Sequence, residues 1–149
     1  MPSYVSNLQH FVWSTFQREP WIDPEWQSRL FEYIGGIVRN RNSTLLCAGG
    51  MPDHVHLLIS VHPSVPLSEL VNVVKSNSSR WIHENISDRS MFRWQEKYGA
   101  FSVSKSNEGT IRNYISNQRE HHRERSYRQE FLELLVKHEI DFDERYLWQ

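Results

Sequence analysis

A single cysteine, Cys47, occurs in the 149-residue chain, so an intrachain disulfide is excluded and no Cys pair offers zinc-ligand spacing. Long apolar runs are also missing. No stretch has the length of a membrane span, and none joins a basic start to an apolar segment as a signal peptide does, so the chain is expected in the cytoplasm. Glycine is scarce at six residues, and neither G-x-x-x-x-G-K-[ST] nor G-x-G-x-x-G nor G-x-S-x-G occurs. Nucleotide-driven and serine-hydrolase chemistries therefore lack the residues they need, and no nucleotide cofactor is expected. Neither charge sign dominates, with 17 basic against 18 acidic residues, so overall charge does not announce a polyanion binder. Its distribution is uneven. The last 21 residues hold six acids, from Glu130 to Glu144, against Lys137 and Arg145, so a chain of net −1 carries about +3 before them.

This length fits one core, and we expect a single domain over residues 1–149 that closes with a helix and an acidic tail. Six Trp, six Tyr and seven Phe supply ample packing, and aromatics interleaved with Arg and Lys are also what single-stranded nucleic acid stacks on. The β-branched and aromatic run His10 to Phe16 predicts a strand. Asp23-Pro24 starts a helix carrying Trp26, Leu30, Phe31, Ile34 and Val38, which Gly35-Gly36 weakens without necessarily breaking. Ser43 to Met51 and His54 to Val61 predict two strands joined at Pro52-Asp53. Leu67, Leu70, Val71, Val74, Trp81 and Ile82 return to helical spacing, and Tyr98 to Ser104 alternates as a further strand. Ser106 to Gly109 opens a helix with Ile111, Tyr114, Ile115 and Gln118, and Ser126 with Gln129 has capping-box spacing for a last helix. The order β-α-β-β-α-β-α-α predicts an α+β domain, a mostly antiparallel sheet with helices packed on it.

Three constellations carry possible chemistry. In a strand His54 and His56 share a face, where two imidazoles can share a metal ion, while Val55 points into the other layer. Eight histidines in a chain of this length produce about 0.4 His-x-His pairs by chance, so spacing alone leaves both readings open. Tyr114 and Gln118 stand four apart, on one face of the predicted helix. The phenolate of a tyrosine is a nucleophile towards phosphorus, and a glutamine amide oxygen can face a metal. A core tyrosine between Ile111 and Ile115 explains the same residues. Asn117 to Arg128 holds four arginines, suited to phosphate contacts or equally to an ion-paired solvent face. Its His121-His122 pair points in two directions on a helix, poor spacing for a shared ion.

Taken together, "MPDHVHLLISV", "YGAFSVSKS" and "YISNQREHHR" resemble the single-tyrosine HUH transposases of insertion sequences and the REP-associated tyrosine transposases. The resemblance covers most of the chain and includes the strand "HFVWSTF", the helix "LSELVNVVKSNSSRWI" and the closing "DERYLW". It implies a bacterial protein with a ferredoxin-like, RRM-like HUH endonuclease domain. Tyr114 is then the nucleophile, and His54, His56 and Gln118 hold a divalent ion, Mg2+ or Mn2+. The implied reaction cuts and rejoins single-stranded DNA near hairpins through a 5′-phosphotyrosine intermediate, in a homodimer whose sites combine histidines of one subunit with the tyrosine of the other. Lys75, Arg119 and Arg123 are candidate phosphate contacts. Two other readings use the same residues: a domesticated DNA-hairpin binding module without transposition, and a metal-dependent phosphoesterase with a structural tyrosine.

Overall fold

The computed structural model describes residues 3–122 and 125–149, without the side chain of His121. Four strands form one sheet in the order β2-β3-β1-β4, every neighbour antiparallel: β1 (Leu8–Ser14), β2 (Thr44–Met51), β3 (His54–Ser60) and β4 (Gly99–Val103). Between them run α1 (Pro24–Arg39) and α2 (Leu67–Asn85), which completes the β-α-β-β-α-β order of a ferredoxin-like sheet. The hairpin between β2 and β3 turns on Pro52-Asp53, with Met51 opposite His54. The remaining helices follow β4: α3 (Glu108–Ser116), α4 (Gln118–His121), α5 (Tyr127–Lys137) and α6 (Glu144–Leu147).

Alternation along the strands gives the sheet two unlike faces. Phe11, Trp13, Val55, Leu57 and Ile59 point to one side and pack against Trp26, Leu30, Ile34 and Val38 of α1 and Leu70, Val71, Val74 and Ile82 of α2. Burial of a side chain of this size contributes about 1.5–3 kcal/mol, so this layer holds the fold together. The α1 helix has Pro24 at its first position, where a missing N–H costs nothing, and it runs unbroken through Gly35-Gly36. The other face presents Leu8, His10, Val12 and Ser14 of β1, His54, His56 and Leu58 of β3 and Phe101 of β4, all buried. It is covered by α3, through Ile115 and Ile111, and by α5, through Tyr127, Phe131 and Leu135.

Two expectations change. The first strand lies two residues earlier than predicted, at Leu8–Ser14, and Phe16 to Arg18 form a single tight turn in which Gln17 and Arg18 have positive φ. The helix expected to carry both Tyr114 and Gln118 is two helices. Asn117, at φ −104 and ψ 29, ends α3, and Gln118 starts α4. The bend delivers Gln118 to the histidines of β3 instead of leaving it one turn above Tyr114. At Ser126 the predicted capping box forms in full: the Ser126 hydroxyl accepts from the Gln129 N–H, and the Gln129 side chain accepts from the Ser126 N–H.

A candidate active site on the polar face of the sheet

His54 and His56 are fully buried on the face shared with α3 and α5. The outer nitrogen of each ring is anchored. His54 Nδ1 lies 2.7 Å from Asp53 Oδ1, and His56 Nδ1 lies 2.8 Å from Nε2 of buried His10. A third imidazole joins them, because His122 closes α4 and its Nδ1 donates to the carbonyl of Arg125 at 2.6 Å. All three Nε2 atoms then face inward. Histidines that hold a metal are oriented in this way, by a partner on the nitrogen that does not bind it.

The facing wall comes from α3, α4 and α5. A glycine is required where α3 meets the sheet: Gly49 lies opposite His56, and a Cβ there would stand 2.3 Å from the Ile115 carbonyl oxygen. This close approach seats the end of α3 on β2 and places Tyr114 beside the histidines, its ring 5.8 Å from that of His56. Gln118 is buried, with Oε1 at 3.1 Å from both His54 Nε2 and His122 Nε2. Glu130, in the first turn of α5, reaches between these groups. Its Oε1 lies 2.9 Å from His56 Nε2, 3.1 Å from His122 Nε2 and 3.4 Å from His54 Nε2. Its Oε2 accepts from the Tyr114 hydroxyl and, at 3.1 Å, from Gln118 Nε2.

The electrostatics follow from burial and these contacts. Burial opposes a proton on His54, yet hydrogen bonds to Asp53 and Glu130 carry its pKa up to about 9. Burial takes His56 down to about 4, although Glu130 pulls the other way. For Tyr114, burial and the neighbouring Glu130 carboxylate both push the hydroxyl well above the usual phenol range. Burial opposes ionisation of Glu130, but the hydrogen bonds from His122, His54 and His56 outweigh it and hold the carboxylate ionised.

The donor set fits a divalent ion on two counts. The Arg125 carbonyl can only accept, so His122 carries a proton on Nδ1, and a ring with that single proton would turn a lone pair at Nε2 towards two oxygens, those of Gln118 and Glu130. His54, with Nδ1 on Asp53, repeats the arrangement once its ring carries a single proton. Lone pairs facing lone pairs need a cation among them, either protons on the rings or one metal ion. The spacing is also suitable. Donors about 2.1 Å from one ion stand about 3.0 Å apart at right angles and about 3.4 Å apart at tetrahedral angles, and five donor separations here lie between 2.9 and 3.4 Å. Donor atoms of His54, His122 and Glu130 lie within 4.8 Å of one another.

Beside this cluster a cleft of about 250 Å3 opens between β4, α3 and α5, lined by His10, Phe101, Ile111, Tyr114, Lys137 and His138. A family profile for IS200-like transposases matches residues 4–118, a span that contains His54, His56, Tyr114 and Gln118. The chain belongs to the IS200-like transposase family. Among curated relatives, the ISDra2 transposase TnpA of Deinococcus radiodurans is 26% identical over 123 residues, 77% of this chain and 86% of that protein. A crystal structure assigned as a transposase from Deinococcus radiodurans superposes with a TM-score of 0.63 at 25% identity, covering 79% of this chain and 95% of that one. The structure of a REP-associated tyrosine transposase bound to a REP hairpin shares the fold, with a TM-score of 0.57 at 14% identity over 78% of this chain and 69% of that one.

The transposase thus brings together His54, His56, Tyr114 and Gln118, which the sequence singled out, and adds residues that the sequence did not. His122 faces the cluster because α4 ends at that residue, so helix periodicity does not govern its ring. Glu130 counts as tail charge in the sequence but is 1% exposed in the structure. Its signal was present: it shares a helical row with Tyr127 and Leu134, an acid on the apolar side of α5. Arg119 is exposed beside Gly49 and Gly50, and Arg123 lies outside the described residues. Lys75 uses its three N–H donors on the carbonyls of Gln95, Glu96 and Lys97, at 2.7, 3.2 and 2.9 Å, and sits over the Trp13 ring, so a phosphate would have to displace one of these partners. Within the single chain, the Tyr114 ring lies beside that of His56 and its hydroxyl bonds Glu130. Among the described residues no helix is long and apolar enough to cross a membrane.

Proposed function

We propose that this transposase cleaves and rejoins single-stranded DNA near hairpins, with Tyr114 as the nucleophile and a divalent ion held by His54, His56 and Gln118. The observation that carries the reading is the Tyr114 hydroxyl on the rim of a buried cluster of three inward-facing imidazoles, open on one side to a cleft. In the reaction, the Tyr114 oxygen forms a bond to phosphorus and the bond from phosphorus to the 3′ oxygen breaks. Tyr114 gives up its phenolic proton and the departing 3′ oxygen takes one up, so the products are a 5′-phosphotyrosine and a free 3′-hydroxyl. Phosphodiester energy is conserved in the tyrosine ester, so a later 3′-hydroxyl can displace Tyr114 and rejoin a strand without water or a nucleotide cofactor. When bound, the ion polarises the scissile phosphate and stabilises charge on its oxygens. His54 and His56 keep Nε2 aimed inward through Asp53 and His10, and Gln118 presents Oε1 beside them. Imidazole nitrogens together with oxygens suit Mn2+ better than Mg2+, and both are tested below.

The DNA partner carries hairpin ends, a reading supported by the REP hairpin bound to the REP-associated transposase, and Arg119 meets its phosphates. We further infer a homodimer in which each site uses its own Tyr114. The decisive experiment incubates the protein with single-stranded oligonucleotides from the flanks of its gene and Mg2+ or Mn2+, and then resolves covalent adducts by denaturing electrophoresis. Wild-type protein should form an adduct on Tyr114. Its persistence in Tyr114→Phe would overturn the assignment. Mixed heterodimers of Tyr114→Phe and His54→Ala subunits should not regain cleavage, and recovery would show that sites are shared between subunits.

A further inference from the structure

The buried carboxylate of Glu130 is used by neither the sequence motifs nor the segment that the family profile matches, which ends at Gln118. A carboxylate withdrawn from water costs several kcal/mol unless partners meet both of its oxygens, and here the two oxygens meet different chemistries. Oε1 faces the Nε2 atoms of His56, His122 and His54, at 2.9, 3.1 and 3.4 Å. Oε2 accepts hydrogen bonds from the Tyr114 hydroxyl and from Gln118 Nε2. The position is enforced from behind: the capping box at Ser126 fixes the start of α5, Tyr127 bonds Gln95 through its hydroxyl, and Phe131 and Leu135 pack with Phe101 and Val12.

We propose that Glu130 belongs at once to the metal site and to the nucleophile, Oε1 completing the donor set around the ion while Oε2 fixes the Tyr114 hydroxyl beside it. The proposal rests on the DNA-cleaving reading for the role of Tyr114, and on donor geometry alone for the ion. One carboxylate then links two requirements, so holding the ion and placing the attacking oxygen become a single event. It also explains why a helix beyond the family's matched segment closes over the site. Glu130 acts as a ligand through one oxygen and as a positioning residue through the other.

The test uses the full-length protein with Mn2+ as probe. Calorimetric titration should give a dissociation constant at least tenfold weaker for Glu130→Ala than for wild type, and the Co2+ absorption spectrum should change with the lost donor. Glu130→Gln keeps the shape and one amide oxygen but places an N–H donor where Tyr114 needs an acceptor. At saturating Mn2+ it should form the tyrosine adduct at least tenfold more slowly, and Glu130→Asp should recover part of that rate. In the wild type, independent of any variant, Mn2+ should shift a carboxylate band in the infrared difference spectrum. Unchanged or tighter Mn2+ binding in the Glu130 variants would overturn the proposal, tighter binding meaning that the carboxylate fills the ion's place. An unaltered adduct rate in Glu130→Gln at saturating Mn2+ would overturn the positioning half. Absence of any wild-type adduct would count against the DNA-cleaving reading and the positioning half together, while the isotherms decide the ligand half separately.

Discussion

The two faces of one sheet are built from the same strands and held by different forces. On the side of α1 and α2, Phe11, Trp13, Val55, Leu57 and Ile59 pack against apolar side chains, with Lys75 over the Trp13 ring, and shape and area provide most of the stability. One residue along each strand, His10, Ser14, His54 and His56 are equally buried, yet each needs a directed partner. These are His56, the Thr15 carbonyl, Asp53 with Gln118, and Glu130. The first face tolerates exchange of one aliphatic for another with modest loss. On the second face a lost partner leaves a buried polar atom unpaired, and the chemistry goes with it. Stability and function in this transposase are separated by the two-residue period of a strand.

That separation can be broken from either side. The largest effect should come from Tyr114→Phe, which removes the attacking oxygen: covalent attachment to DNA falls to background, while the melting temperature drops only by the loss of one of the two hydrogen bonds to Glu130 Oε2, checked by electrophoresis and calorimetry together. Next, His56→Ala should weaken Mn2+ binding by more than the roughly 10- to 100-fold that follows loss of a merely supporting group. It should also cost about 1–3 kcal/mol because His10 and Glu130 lose a buried partner, and Mn2+ titration with urea unfolding reads both. Leu57→Ala sharpens the contrast. A cavity under the apolar face should cost about 2–5 kcal/mol in urea, with Mn2+ affinity and adduct rate per folded molecule unchanged, and a matching loss of metal binding would show that the faces are not independent. The smallest change is expected for exposed Arg119→Ala, which should flatten the slope of log K against log salt for single-stranded DNA by roughly 0.7 if one phosphate contact is lost. An unchanged slope would return Arg119 to ordinary surface charge.

Much of this was legible along the chain because local pattern and final structure agree. The β-α-β-β-α-β order followed from apolar periodicity and from Pro52-Asp53 and Asp23-Pro24. The helix at Tyr127 followed from two capping residues that make the bonds their spacing promised. The misreadings are equally specific. Tyr114 and Gln118 share apolar spacing with Ile111 and Ile115, which predicts one helix, but burial of Gln118 against His54 is bought by breaking that helix at Asn117. Lys75, a candidate phosphate contact along the chain, also ties α2 to the carbonyls before β4, a link that no local pattern states.

By itself the sequence determined what depends on neighbours a few residues away: that His54 and His56 share a face with Val55 opposite, where helices begin, and that Tyr114 rides on a helix following a strand. Only the tertiary structure decided what surrounds those groups. Glu130 lies 74 residues from His56 and 12 from Gln118, and the helical row that sets it on the apolar side of α5 does not state that imidazoles will surround it. That outcome depends on where α5 docks, which Phe131, Leu135 and Tyr127 settle by packing over Phe101 and Val12. Gly49 likewise reads as an unremarkable strand glycine until α3 arrives, when the missing Cβ is the space that lets the Ile115 carbonyl, and Tyr114 with it, approach the histidines.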